Sequence, residues 1–228
     1  MQFSNDLLDR FVAPQVSLLR HHSAKDLEEA RDYYGSFILG YGFRESSFDH
    51  ADLAAISLFL RRLYQSHLSY RAGFGQLELF VSARSEPQER QLIANYMSAV
   101  WAFEQCVSSL VLALKAHHRF KTFFDTNTTK LYKRDDGSTI DRLTSIYDAI
   151  RHYDERLVSL GFAANIAPVW LTPEGLAGKR TVSGGNPLDV NVSYLELSDI
   201  IGSLTGDAKF LTEDIFAKLE VWKRTPQE

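Results

Sequence analysis

The sequence predicts a mainly α-helical bundle carrying one small β-hairpin near residues 168–183. Three observations predict it. Apolar residues recur at spacings of three and four along most of the chain, the period of a helix with one buried face. The most apolar window, Met97 to Leu114, is interrupted by Glu104, Gln105, Ser108 and Ser109, as suits a core helix better than a lipid-facing one. Pro168–Thr172 and Lys179–Ser183 read as β-prone, and they flank the turn-forming stretch Pro173-Glu174-Gly175-Leu176-Ala177-Gly178.

Taken in order, Asn5–Leu19 reads as a short helix bent at Pro14, and Ser23-Ala24-Lys25-Asp26 opens a helix that Gly40 and Gly42 stop. Asp49 opens the next, with Leu53, Ile56, Leu60, Leu63, Tyr64 and Leu68 on one face and an expected end near Gly73 or Gly75. Leu77–Val81 fits either a short strand or a helical turn. From Pro87 to about His117 runs the longest helical pattern. Its stripe is Ile93, Tyr96/Met97, Val100, Phe103, Val107, Leu110/Val111 and Leu114, and Trp101 and Leu112 add apolar surface outside it. A helix apolar over so much of its circumference is expected at the centre, with neighbours on several sides.

Asp135-Asp136-Gly137-Ser138 is the clearest loop, and Ser138-Thr139-Ile140-Asp141 caps a helix expected to reach Leu160 before Gly161. In the hairpin, Trp170 is the expected anchor. Gly184-Gly185-Asn186-Pro187 is a loop, Ser193-Tyr194-Leu195-Glu196 is a capping box for a helix to about Leu204, and Thr212 starts a final helix with Ile215, Phe216, Leu219 and Trp222 on one face. No repeat and no separating linker is evident, so residues 1–228 read as one domain.

Composition narrows the function. The 228 residues are 45% hydrophobic and 24% charged with a net charge of −4, an ordinary globular balance with no global field for duplex DNA or anionic lipid. The lone Cys106 lies in an apolar stretch and reads as a small buried residue rather than a nucleophile. No basic and apolar leader opens the chain, and a cytoplasmic location is expected. Phosphate-cradling glycine loops, paired CxxC, HExxH and GxSxG are absent, so neither cofactor nor metal is expected. The adjacent pairs His21-His22 and His117-His118 sit at predicted helix ends and cannot chelate as neighbours on a helix.

The densest polar cluster is Asp148, Arg151, His152, Asp154, Glu155 and Arg156. Helical spacing puts Asp148, His152 and Arg156 in one row with Arg151 and Glu155 beside it. Such a strip can clamp phosphate and carry a proton, or can be the solvated face opposite Leu143, Ile146, Ile150 and Leu157.

A long apolar helix, a loop and then a helix reading Ile-Tyr-Asp-Ala-Ile-Arg-His-Tyr-Asp-Glu-Arg resembles the HEPN superfamily of helical domains, over Glu86–Leu160. Members of that superfamily carry an arginine and a histidine with four to six residues between them; many are ribonucleases of toxin–antitoxin and phage-defence systems, and others are binding modules. The resemblance implies a dimer whose motif helices meet. Arg151 fits the family's arginine by context, but Arg156, Leu157 and Val158 stand where its histidine would be, and His152 is adjacent instead. Arg62 and Arg61 do have the spacing to His67, although sixteen arginines and seven histidines produce about one or two such spacings by chance. Arg62 and His67 fall on different helix faces. Two functions follow as expectations. One is a bacterial interaction or regulatory protein that binds a protein or RNA partner through Asp148, Arg151, His152 and Glu155. The other is a metal-independent ribonuclease using Arg151 and His152.

Overall fold

The computed structural model describes residues 50–83, 89–124, 130–153, 168–180 and 188–224. Within them the protein is mainly helical with a small β-sheet, in the order α1 (His50–Ala83), α2 (Glu89–Phe124), α3 (Thr139–Arg151), β1 (Val169–Leu171), β2 (Gly175–Arg180), β3 (Leu188–Ser193) and α4 (Tyr194–Arg224). The helices expected before Asp49, the pair His21-His22, and the chain from Asp154 to Gly161 lie outside the described residues.

α1 and α2 form a long antiparallel hairpin. Ring pairs fix its sense: Phe80 meets Tyr96, Tyr70 and Phe74 meet Phe103, and Phe59 meets His117. The buried stripe of α1 comprises Ile56, Phe59, Leu60, Leu63, Tyr70, Phe74, Leu77 and Phe80. Leu68, expected on it, is 46% exposed. The expected stop at Gly73 or Gly75 is overturned: the helix continues to Ala83, so Leu77–Val81 is helical. A glycine inside a helix costs about 1 kcal/mol, and burying Leu77 and Phe80 on the same stripe outweighs it. Gly73 has a packing role. A Cβ there would lie 2.7 Å from the Phe103 ring, so glycine lets the two helices approach.

α2 is central in part only. Phe103, Val107, Leu110 and Val111 are buried as their stripe requires, but Trp101 is 60% exposed. By length and composition the region Leu92–Arg119 would suffice to cross a membrane, and 56% of its most apolar window is buried inside the fold.

The sheet extends the expected hairpin by one strand. β1 and β2 pair antiparallel as a hairpin, with Leu171 opposite Leu176. β2 spans Gly175–Arg180, however, so Gly175–Gly178, expected in the turn, are strand: their pairing with β1 and β3 outweighs the local turn preference of the glycines. β2 pairs antiparallel with β3 from Gly175–Ser193 to Arg180–Leu188. β3 went unpredicted although Leu188–Ser193 alternates, with Val190 and Val192 buried and Asp189 and Asn191 exposed. The hairpin's anchors are Val169 and Leu171, both fully buried; Trp170 points from the opposite face and is half-buried, which corrects its expected role. The connection between β1 and β2 is tied by Thr172, whose Oγ1 accepts from the Gly175 N–H at 3.0 Å and whose own N–H donates to the Gly175 carbonyl at 2.8 Å.

The helix expected to end near Leu204 and the one expected from Thr212 are a single element, α4. Leu197, Ile201, Leu204 and Ala208 are buried at helical spacing, and that continuous face carries the chain past Gly202 and Gly206. Tyr194, at its start, ties the layers together. Its ring packs on Phe74 and Phe103, its Oη donates to the Thr172 carbonyl at 3.2 Å, and its carbonyl accepts from Tyr70 Oη at 3.1 Å.

Candidate binding surface

The polar residues singled out by sequence divide into those the fold consumes and those it displays. His67 and His117 belong to the first group. His67 lies on the buried stripe of α1, and Arg62 is half-buried with its Nη1 donating to Gln65 Oε1 at 3.1 Å. His117 stacks on Phe59 and places Nε2 3.0 Å from Asp207 Oδ2 of α4, joining three helices. Cys106 is fully buried, and burial pushes its thiol up, which favours the protonated form over the thiolate.

Asp148, Arg151 and His152 belong to the second group. α3 ends at Arg151, earlier than the expected Leu160, with His152 as its C-cap donating its N–H to the Asp148 carbonyl at 3.1 Å. Asp148 and Arg151 are exposed and His152 is half-buried. Arg151 in the last turn complements the carbonyl end of the helix. The row through Asp148 and His152 therefore leaves helical geometry at His152, and Glu155 and Arg156 lie outside the described residues.

A second displayed group precedes α3. Lys130, Leu131, Tyr132, Lys133, Arg134 and Asp136 line an open cleft of about 940 Å³. The loop beneath it is fixed from inside. The buried Asp141 accepts the Asp135 N–H on Oδ1 (3.1 Å) and the Gly137 N–H on Oδ2 (3.3 Å), while Asp136 Oδ1 accepts the Ser138 N–H at 2.8 Å. Asp135 and Gly137 both take positive φ, 66° and 72°, and the Asp141 carboxylate sits where their amides converge. Ser138 Oγ accepts the Asp141 N–H at 3.2 Å and caps α3, as its sequence indicated.

Beside this loop lies a polar seam. Arg142 donates to the Gly137 carbonyl through Nε, to the Asn191 carbonyl through Nη1, and to both carboxylate oxygens of Glu196, binding α3 to β3 and α4. Glu196 also closes the predicted capping box: Oε2 accepts the Ser193 N–H at 2.9 Å and Ser193 Oγ accepts the Glu196 N–H at 3.1 Å. Partial burial pushes the Glu196 carboxyl up, but Arg142, the Ser193 N–H and Thr139 Oγ1 outweigh it and hold the group at about 2.

Sequence reasoning marked the turn at Asp135–Ser138 but passed over the three cations and the tyrosine before it. The signal that could have found them is Lys130-Leu131-Tyr132-Lys133-Arg134, cations interleaved with an aromatic immediately before a rigid turn. Among the described residues no three His, Cys, Asp or Glu side chains are grouped to hold a metal ion. Compared with known proteins, the chain matches no family model, no curated protein and no solved structure.

Proposed function

We propose that this chain is a helical interaction or regulatory module of HEPN-like type, a cytoplasmic and dimeric protein that binds a protein or RNA partner and does not cleave RNA. The observation that carries this reading is the separation of its candidate acid–base groups. His67 and His117 face the core, and Arg151 and His152 stand next to each other where α3 ends. Metal-independent RNA cleavage needs a guanidinium and an imidazole directed at one phosphodiester, within hydrogen-bond reach of the atoms that gain and lose protons. Consecutive residues on a helix do not face each other, and where α3 ends the two differ in exposure, Arg151 being exposed and His152 half-buried. Display of Asp148, Arg151 and a half-buried His152 suits recognition, where charges need only face outward.

The deciding experiment incubates the purified protein with single-stranded RNA in EDTA. No cleavage is expected from wild type, and Arg151→Ala or His152→Ala is expected to weaken a partner complex by about tenfold while leaving the melting temperature unchanged. Cleavage by wild type that disappears in His152→Ala would make the protein a ribonuclease and end this reading.

A further inference from the structure

The cleft at Lys130–Asp136 carries an assignment of its own, which rests on the binding-module reading and supplies its partner class. We propose that this cleft binds the phosphate backbone of a single-stranded nucleic acid, with Lys130, Lys133 and Arg134 facing phosphates and Tyr132 offering its ring to a base. The three cations fall within five residues and line one open cleft whose lining, among the described residues, includes one carboxylate, Asp136. That carboxylate accepts the Ser138 N–H and also lies near the Lys133 ammonium, so it offsets part of one of the three positive charges and leaves the cleft net positive. The cluster also stands out against a chain of net charge −4, so its attraction for a polyanion is local rather than a property of the whole surface.

Two further features favour a nucleic-acid strand over an acidic polypeptide. Tyr132 lies between the cations, and alternation of cations with an aromatic ring matches alternation of phosphate and base along a strand. The loop is also preorganised. Leu131 packs on the core, and the buried Asp141 holds the turn through the Asp135 and Gly137 amides. Cations displayed on a fixed loop lose little conformational freedom on binding. An open cleft also admits a single strand with its bases splayed, where a duplex would hide them from the Tyr132 ring.

The test measures fluorescence anisotropy of the full chain with labelled oligouridylate and oligodeoxythymidylate of about ten nucleotides. Two variants are compared with wild type: the triple Lys130→Glu/Lys133→Glu/Arg134→Glu, and Tyr132→Ala. Arg71→Glu, an exposed cation on α1, controls for loss of charge alone, and circular dichroism confirms folding throughout. Wild type is expected to bind one or both strands with an affinity that falls as salt rises. The triple variant is expected to bind at least tenfold more weakly and to flatten the slope of log affinity against log salt by about 2, the loss of three phosphate contacts. Tyr132→Ala is expected to weaken binding about tenfold with the slope unchanged. Equal binding by wild type and the triple variant overturns the cleft assignment while leaving a binding module that uses another surface. Failure of wild type to bind either strand, with polyglutamate captured through the same three cations, overturns the nucleic-acid assignment in favour of an acidic polypeptide. Absence of binding to any of the three probes overturns the cleft outright. Cleavage of the oligouridylate by wild type in EDTA would overturn the non-catalytic reading and not the cleft.

Discussion

Two glutamates mark how differently the two halves of this fold are held. Glu104, on the flank of α2, is half-buried in a helix with no other charged residue from Leu92 to Leu114, and burial pushes its carboxyl up to about 7. Glu196, at the start of α4, lies in the seam with Arg142, Thr139 and Ser193 and is held at about 2. The same side chain is penalised in one place and stabilised in the other. The α1–α2 hairpin is cemented by shape, by aromatic rings and a glycine under Phe103, and tolerates charge poorly. The corner of α3, sheet and α4 is cemented by directed hydrogen bonds between charged groups and backbone, which leaves it suited to carry displayed cations on its rim.

The largest expected effect moves a carboxylate three residues along α2. Val107 is fully buried, so Val107→Asp places a charge where Glu104 is only half-buried. A cost of about 4 kcal/mol or more is expected, enough to leave the variant unfolded or insoluble. A wild-type melting curve would show that the hairpin accepts charge after all and would dissolve the contrast with the seam.

In the other half the corresponding weak point is backbone. A Cβ on Gly175 would lie 2.1 Å from the Val192 carbonyl oxygen and 2.6 Å from Ser193 Cα. Gly175→Ala must therefore push β3 away from β2 and disturb the start of α4, at a cost of about 2–3 kcal/mol by urea denaturation. Unchanged stability would mean that β3 is not clamped to β2 at that point.

The pH dependence of stability should differ in sign between the halves. From about 4.5 down to about 2 the unfolded chain takes up a proton at Glu196 that the folded chain refuses. The contribution of Glu196 is thus complete above pH 4.5 and lost as pH falls toward 2. From 4.5 up to about 7 the folded chain retains a proton at Glu104 that the unfolded chain has released, so stability is highest below 4.5 and declines as pH rises through 7. Glu104→Gln should flatten the neutral limb, worth up to about 3 kcal/mol. Glu196→Gln should flatten the acid limb, worth about 1–2 kcal/mol after solvent screening. Urea midpoints of the three proteins from pH 2 to 8 read both limbs, and identical profiles would remove the distinction.

How much of this could be read from sequence follows the range of the forces involved. Stripes such as Ile56/Leu60/Leu63 and Val100/Phe103/Val107, and the caps at Ser138 and Ser193, are local patterns and were legible. Helix ends placed at Gly73 and near Leu204 were misread because glycine's local cost competes with distant partners such as Phe103, which no window of sequence contains. Trp101 was assigned neighbours from its apolarity alone, yet it lies largely open. For the site, Arg151 and His152 were found by residue type, whereas the end of α3 at Arg151 sets how they are displayed. Arg142 was not singled out, since its partners Asn191 and Glu196 lie some fifty positions away.

The smallest expected effect tests whether glycine within α1 is always there for packing. Gly73 and Gly75 are two residues apart in one helix, but a Cβ on Gly75 would meet nothing within 4 Å, whereas one on Gly73 would strike Phe103. Glycine in a helix interior costs conformational entropy that alanine does not, so Gly75→Ala should stabilise the protein by about 0.5–1 kcal/mol with no change in its contacts. A rise in the urea midpoint at constant slope would be the signature of that gain. A loss of stability would mean that the hairpin needs its backbone bare at Gly75 as well, and that its shape-based cement extends to the outer face of α1.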